Sequence, residues 1–190
     1  MLSQELHSID RPDEGNKYSN LELDEFMVFC ILDTSVPYEK CCQAFDALKK
    51  SGMTTRRKLR KCTPLMVKLE LKNTGYRWAN QKAKYLMEFA DNPINLKTAT
   101  REEMVKNVKG VGMKLASMFL RNTRGHEYAV IDVHTDRWLE KELKAYDQWK
   151  PKMSYEEKEK AFINFAKILG TTPKELDLKI WQENRIGNRK

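Results

Sequence analysis

Two side chains in this chain have the types and the spacing for amine chemistry. Lys114 stands in VKGVGMKLASMFLRN, residues 108–122, directly after a Gly-Val-Gly turn and at the start of an apolar helical run. A cation is least welcome at a helix N-terminus. One reading is a plain phosphate contact. The other is activation: packing among Val111, Met113 and Met118, together with the helix dipole, disfavours the ammonium form and leaves a nucleophilic amine. Such an amine needs a carboxylate to steady developing positive charge and to handle protons. Asp132, in AVIDVHTDRW, is the candidate. It follows three apolar residues and is also a natural N-cap for the next helix, a role compatible with catalysis because a cap fixes the carboxylate in place. His134 fits the first turn of that helix better than a phosphate contact.

Gly110 and Gly112 let the turn adopt positive φ and allow close backbone approach. Between two helices, such a turn directs successive amides outward at the second helix's start, a nest for an anion. A bare Gly-x-Gly also serves as an ordinary helix cap. The chain of 190 residues has a net charge of +8 and a pI of about 9.2. That balance suits a polyanion such as nucleic acid, or a solvated lysine-rich surface. The cluster Arg56, Arg57, Lys58, Arg60 and Lys61 carries the same two readings.

The elements that must hold these residues read as helices. Ser19-Asn20-Leu21-Glu22 and Thr100-Arg101-Glu102-Glu103 are capping boxes. Pro37 opens a helix to Ser51 with Gly52 as its stop, and Pro64 opens one ending near Asn73. Helical spacing runs over 80–90 and 113–120, Asp132 or Thr135 starts another helix, and Ser154 and Thr172 cap two more. Arg121 to Tyr128 reads as a loop. Strand-type alternation is missing, so the expected fold is all-α, eight to ten short helices in a single domain over 1–190, with the hairpin at about 103–122. Apolar content of 41% and charged content of 33% fit a globular chain without a membrane span. The polar N-terminus is unlike a secretory signal, so a cytoplasmic protein is expected, with a monomer as the default state. The four cysteines, Cys30, Cys41, Cys42 and Cys62, lack metal-ligand spacing and read as reduced structural thiols, with Cys41 in the core.

VKGVGMK followed by VIDVH resembles the helix-hairpin-helix DNA glycosylases, the repair superfamily that includes endonuclease III. With GYRWANQKAKYL at 75–86 and DLKIW near the end, the chain is similar to one branch: the second type of 8-oxoguanine DNA glycosylase/lyase of archaea and some bacteria. The resemblance covers most of the chain from about Phe26 to Lys190. It implies two helical lobes with the active site in the cleft between them, and double-stranded DNA containing 8-oxoguanine as partner. It also implies extrusion of the base, attack by Lys114 on the anomeric carbon, a Schiff base, and β-elimination assisted by Asp132. Amides of Gly110, Gly112 and Leu115 would hold a phosphate. Carbonyls of Lys106, Val108 and Val111 would bind a monovalent cation. No cofactor or divalent metal is implied.

In that branch the C-terminal residue enters the base pocket and a tryptophan nine residues upstream lines it, the spacing here of Trp181 and Lys190. Trp181 also has helical spacing from Leu178, which suits a core role, and a terminal lysine is ordinarily a frayed end. Trp78 would supply a stacking ring where relatives carry phenylalanine. The four-cysteine iron–sulfur cluster of endonuclease III relatives is ruled out, since no cysteine follows Cys62. Two alternatives stand: another damaged or mismatched base as substrate, or a hairpin module that only binds DNA.

Overall fold

The computed structural model describes residues 6–12 and 17–187. Among them are ten helices and no strand: α1 (Asn20–Leu32), α2 (Tyr38–Lys50), α3 (Arg56–Leu59), α4 (Pro64–Asn73), α5 (Ala79–Ala90), α6 (Arg101–Asn107), α7 (Met113–Arg124), α8 (Val133–Ala145), α9 (Tyr155–Ile168) and α10 (Pro173–Gly187). None of the described helices is long and apolar enough to cross a membrane. The chain divides into two compact units, Met1–Arg124 with α1–α7 and Gly125–Lys190 with α8–α10.

The first unit is built on α1. Its Ser19 capping box closes as the sequence predicts, with Glu22 N–H donating to Ser19 Oγ and Ser19 N–H to Glu22 Oε2. From Phe26 to Leu32 every residue is fully buried. A helix apolar on all sides must be surrounded, and α2, α5 and α7 pack against it. Phe26 stacks on Phe119 of α7 at 5.7 Å, and Phe29 meets Phe45 of α2 edge-on at 5.5 Å. Cys30 and Cys41 lie in this core, and burial pushes both thiols well above their ordinary range.

Two sequence expectations change here. The basic cluster contains the short helix α3, and two of its arginines serve the fold. Arg56 Nε donates to Asp24 Oδ1 at 2.8 Å and its Nη1 to the carbonyls of Asn92 and Ile94, while Arg60 Nε donates to the Ala90 carbonyl. Arg57, Lys58 and Lys61 remain exposed. Second, α7 continues through Arg124, four residues into the expected loop. Tertiary bonds hold that extra turn. Asn122, fully buried, donates to Asp10 Oδ1 at 2.6 Å, whose other carboxyl oxygen accepts from the Tyr38 hydroxyl. Arg124 reaches the carbonyls of Ala99 and Leu96.

The second unit packs α8, α9 and α10 around Leu139, Leu143, Phe162, Ala166, Leu176 and Ile180. Ser154 closes a capping box on α9, and Thr172 and Glu175 exchange bonds at the start of α10. Asp132 caps α8.

Candidate active site

The hairpin is α6, a five-residue turn and α7. Thr100 caps α6 with a closed capping box, and Val108 ends it. Gly110 has φ of +85°, and a Cβ built there would lie 2.5 Å from Tyr85 Cδ2 on α5. The Cδ2–Cε2 edge of the tyrosine ring therefore packs close on the turn, and only glycine fits there. Gly112 faces open space. The turn is closed by Val111 N–H to Val108 O at 3.1 Å, and α7 by Ala116 N–H to Gly112 O at 3.0 Å. The amides of Gly110, Gly112 and Leu115 meet no acceptor among the described residues, the pattern expected of an anion nest at a helix start. The Leu115 side chain itself is buried in the core. Lys106, Val108, Gly110, Gly112 and Glu88 line a concavity of about 350 Å³ on this hairpin. Of the three carbonyls expected to bind a cation, that of Val108 already accepts the Val111 amide, which leaves it one lone pair.

Lys114, second residue of α7, does not sit as a lone amine among apolar neighbours. Its Nζ donates to Asp33 Oδ2 at 2.6 Å, and its side chain is 30% exposed. Asp33 is the C-cap of α1. A carboxylate at this distance favours the ammonium form, whereas the sequence expectation is a lone amine among apolar neighbours. The fold explains the pairing: an acid at a helix C-terminus and a base at a helix N-terminus are each unfavourable alone. The sequence held that signal, since Asp33 directly follows the apolar run of α1.

Lys82 of α5 is 2% exposed. Burial lowers its ammonium to about 8, with the Cys41 thiol and Asp33 opposing that shift. Its Nζ stands 5.6 Å from the Tyr85 ring centroid, the ring that packs on Gly110.

Trp78 occupies the position before α5, half-buried, and its Nε1 donates to the Ser35 carbonyl at 3.3 Å. Arg77 lies over its ring at 4.6 Å. Trp78 and Lys114 are thus both tied to the segment that follows α1, through Ser35 and Asp33.

In the second unit Asp132 Oδ1 accepts from the amides of His134 and Thr135 at 2.8 and 2.9 Å, and Thr135 Oγ1 lies 3.1 Å away. His134 takes its place in the first turn of α8, as expected. Thr135 Oγ1 is also 3.1 Å from Asp177 Oδ1 of α10, and Trp181 follows Asp177 by one turn. Asp132 Oδ2 meets no donor among the described residues. Lys190 lies outside the described residues.

The family model described as 8-oxoguanine DNA glycosylase matches residues 11–171. The chain belongs to that family. Among curated members of similar sequence is the 8-oxoguanine DNA glycosylase/AP lyase of Thermoplasma volcanium, 28% identical over 183 residues, spanning 88% of this chain and 89% of the relative. A solved structure of the Methanocaldococcus jannaschii 8-oxoguanine glycosylase/lyase, in complex with a 15mer DNA containing 8-oxoguanine, superposes with a TM-score of 0.71 at 28% identity. It covers 91% of this chain and 87% of that one. The Thermotoga maritima 8-oxoguanine DNA glycosylase gives 0.68 at 27%, over 85% and 78%. The all-α helix-hairpin-helix glycosylase fold expected from the sequence is the fold these family members share.

Proposed function

We infer that this chain is a bifunctional DNA repair enzyme, an 8-oxoguanine DNA glycosylase and AP lyase. The observation that carries the assignment is the position of Lys114: an amine held by Asp33 on the first turn of α7, directly beyond a hairpin whose amides are open to a phosphate. The hairpin reads only backbone and so positions the duplex without selecting the lesion. The damaged nucleotide is extruded. Lys114, once deprotonated, attacks C1′ of the sugar, and the N-glycosidic bond breaks with its electron pair leaving on the base. The sugar ring opens to a Schiff base, loss of a C2′ proton follows, and the 3′ phosphate departs. Asp132 supports the positive charge that develops at the sugar. Its Oδ1 is committed to capping α8, so Oδ2 is the oxygen that acts.

Trp78, Trp181 and Lys190 are assigned to the base pocket. Gly110, Gly112 and Leu115 are assigned to phosphate, and the carbonyls of Lys106, Val108 and Val111 to a monovalent cation. We assign the enzyme to the cytoplasm as a monomer, to be checked by sedimentation with and without duplex.

The deciding experiment is borohydride trapping on duplexes carrying single lesions. Wild type forms a covalent adduct with the 8-oxoguanine duplex and Lys114→Gln forms none. An adduct of wild-type yield in Lys114→Gln removes Lys114 as nucleophile. Asp132→Asn binds the duplex normally and does not turn over.

A further inference from the structure

Asp132 is held by more than its helix needs. As the cap of α8 its Oδ1 accepts the amides of His134 and Thr135 at 2.8 and 2.9 Å, and a helix start asks no more of a cap. A third contact reaches the same oxygen, the Thr135 hydroxyl at 3.1 Å. The terminal torsion of an aspartate is broad, so amides bonded to one oxygen leave the carboxyl plane free to swing about it. A further contact narrows that swing, and with it the direction of Oδ2.

Asp177 holds the hydroxyl in place. Thr135 is fully buried, and its Oγ1 lies 3.1 Å from Asp177 Oδ1 on α10. Threonine in a helix divides between two χ1 rotamers, because its hydroxyl can turn back to a carbonyl of the preceding turn. Asp177 draws Oγ1 to a position that also meets Asp132. The hydroxyl has one proton and stands equally far from both carboxylates, so the two acids share it in a three-centre bond. Asp177 is itself fixed. It is 6% exposed, and Leu176 and Ile180 on either side of it belong to the core formed with Leu139 and Phe162. Packing between α8 and α10 alone would be met by an apolar side chain without the desolvation that a buried carboxylate costs.

We propose that Asp177 is a positioning residue for the reaction: through the Thr135 hydroxyl it fixes the carboxyl plane of Asp132 and so the direction of Oδ2. Oδ2 is the oxygen that meets the charge developing at the sugar, and displacing such a group by about 1 Å costs on the order of 10²-fold in rate. Trp181 follows Asp177 by one turn, so the helix assigned to the base pocket also sets the carboxylate. This rests on the role given above to Asp132.

The test compares Thr135→Val, which keeps the shape and loses the hydroxyl, with Thr135→Ser, which keeps the hydroxyl. Two reactions are followed in single turnover: excision from the 8-oxoguanine duplex, and strand cleavage of a duplex with a preformed abasic site. Duplex affinity is measured separately. Thr135→Val should bind duplex as wild type does and run both reactions about 10²-fold more slowly, and Thr135→Ser should recover most of the rate. Asp177→Ala should match Thr135→Val, and it decides if the valine variant fails to fold. A wild-type rate in Thr135→Val overturns the proposal, as does a serine variant no faster than the valine one. So does a loss confined to the 8-oxoguanine duplex, because the sugar chemistry is common to both reactions and the base pocket serves only the first. Asp132→Asn at the wild-type rate would instead refute the role of Asp132. An inactive Asp132→Asn beside a fully active Thr135→Val would sink the Asp177 link alone.

Discussion

Lys114 and Asp33 join two helix ends that each carry the wrong charge. Asp33 caps the C-terminus of α1, Lys114 begins α7, and their charged atoms lie 2.6 Å apart across 81 residues of chain. The pair serves the fold by cancelling both defects.

That cancellation predicts a specific pattern in a four-variant cycle. Asp33→Asn removes the acid from the end of α1 but strands the ammonium at the start of α7, and Lys114→Gln strands the acid. The double variant Asp33→Asn with Lys114→Gln should therefore be destabilised less than the sum of the two single variants, with a coupling of about 0.5–3 kcal/mol, as for contacting residues. Additive melting shifts would show that the contact carries no energy. In trapping, Asp33→Asn alone should slow adduct formation by about 10²-fold, as loss of a positioned proton acceptor does.

The two hairpin glycines should separate stability from binding. Gly110→Ala must place a methyl against Tyr85 at a positive φ, so it should cost at least about 1–2 kcal/mol from backbone strain alone, seen as a lower melting temperature. Gly112→Ala meets nothing within 4 Å, and its stability should stay within about 0.5 kcal/mol of wild type, as for an exposed substitution. If the two melt alike, the packing of Tyr85 on the turn is not what demands a glycine.

Trp78, assigned to the base pocket, has its Nε1 anchored to the Ser35 carbonyl. Trp78→Ala should weaken lesion-duplex affinity by about 1–3 kcal/mol, the usual worth of a base on an aromatic face. Trp78→Phe should recover most of that, since a phenyl ring stacks without the indole anchor. Affinity for undamaged duplex should change in neither variant. Equal losses on damaged and undamaged DNA in titrations would assign Trp78 to the backbone instead of the base.

Local chemistry was readable in the chain because it is written in short strings. The boxes at Ser19, Thr100 and Ser154, the proline start at Pro64 and the cap at Asp132 each need only three or four residues to be recognised, and each closes as expected. What escaped was long-range. The last turn of α7 has loop-like composition, Arg121-Asn122-Thr123, yet stays helical because Asn122 finds Asp10 across 112 residues. Arg56 looks like part of a solvated basic patch until Asp24 and two loop carbonyls are brought to it. Lys114 was legible as an anomaly, and its resolution by Asp33 was not, since no local pattern links an acid ending one helix to a lysine starting another.

Lys82 carries a prediction about stability that needs no substrate. Its ammonium is lowered by burial to about 8 in the folded chain, against an ordinary value near 10.5. Below about 8 the lysine is charged in both states, and the fold bears the full penalty of burying that charge. Between about 8 and 10.5 the unfolded chain binds the extra proton, so stability rises with pH across that window and levels off above it. Lys82→Met removes the group. Its melting temperature near neutral pH should equal or exceed that of wild type, and the rise between pH 8 and 10 seen in wild type should flatten. Thermal melts of the two proteins in matched buffers measure the difference directly; parallel curves for wild type and Lys82→Met would mean that Lys82 holds an ordinary, hydrated ammonium.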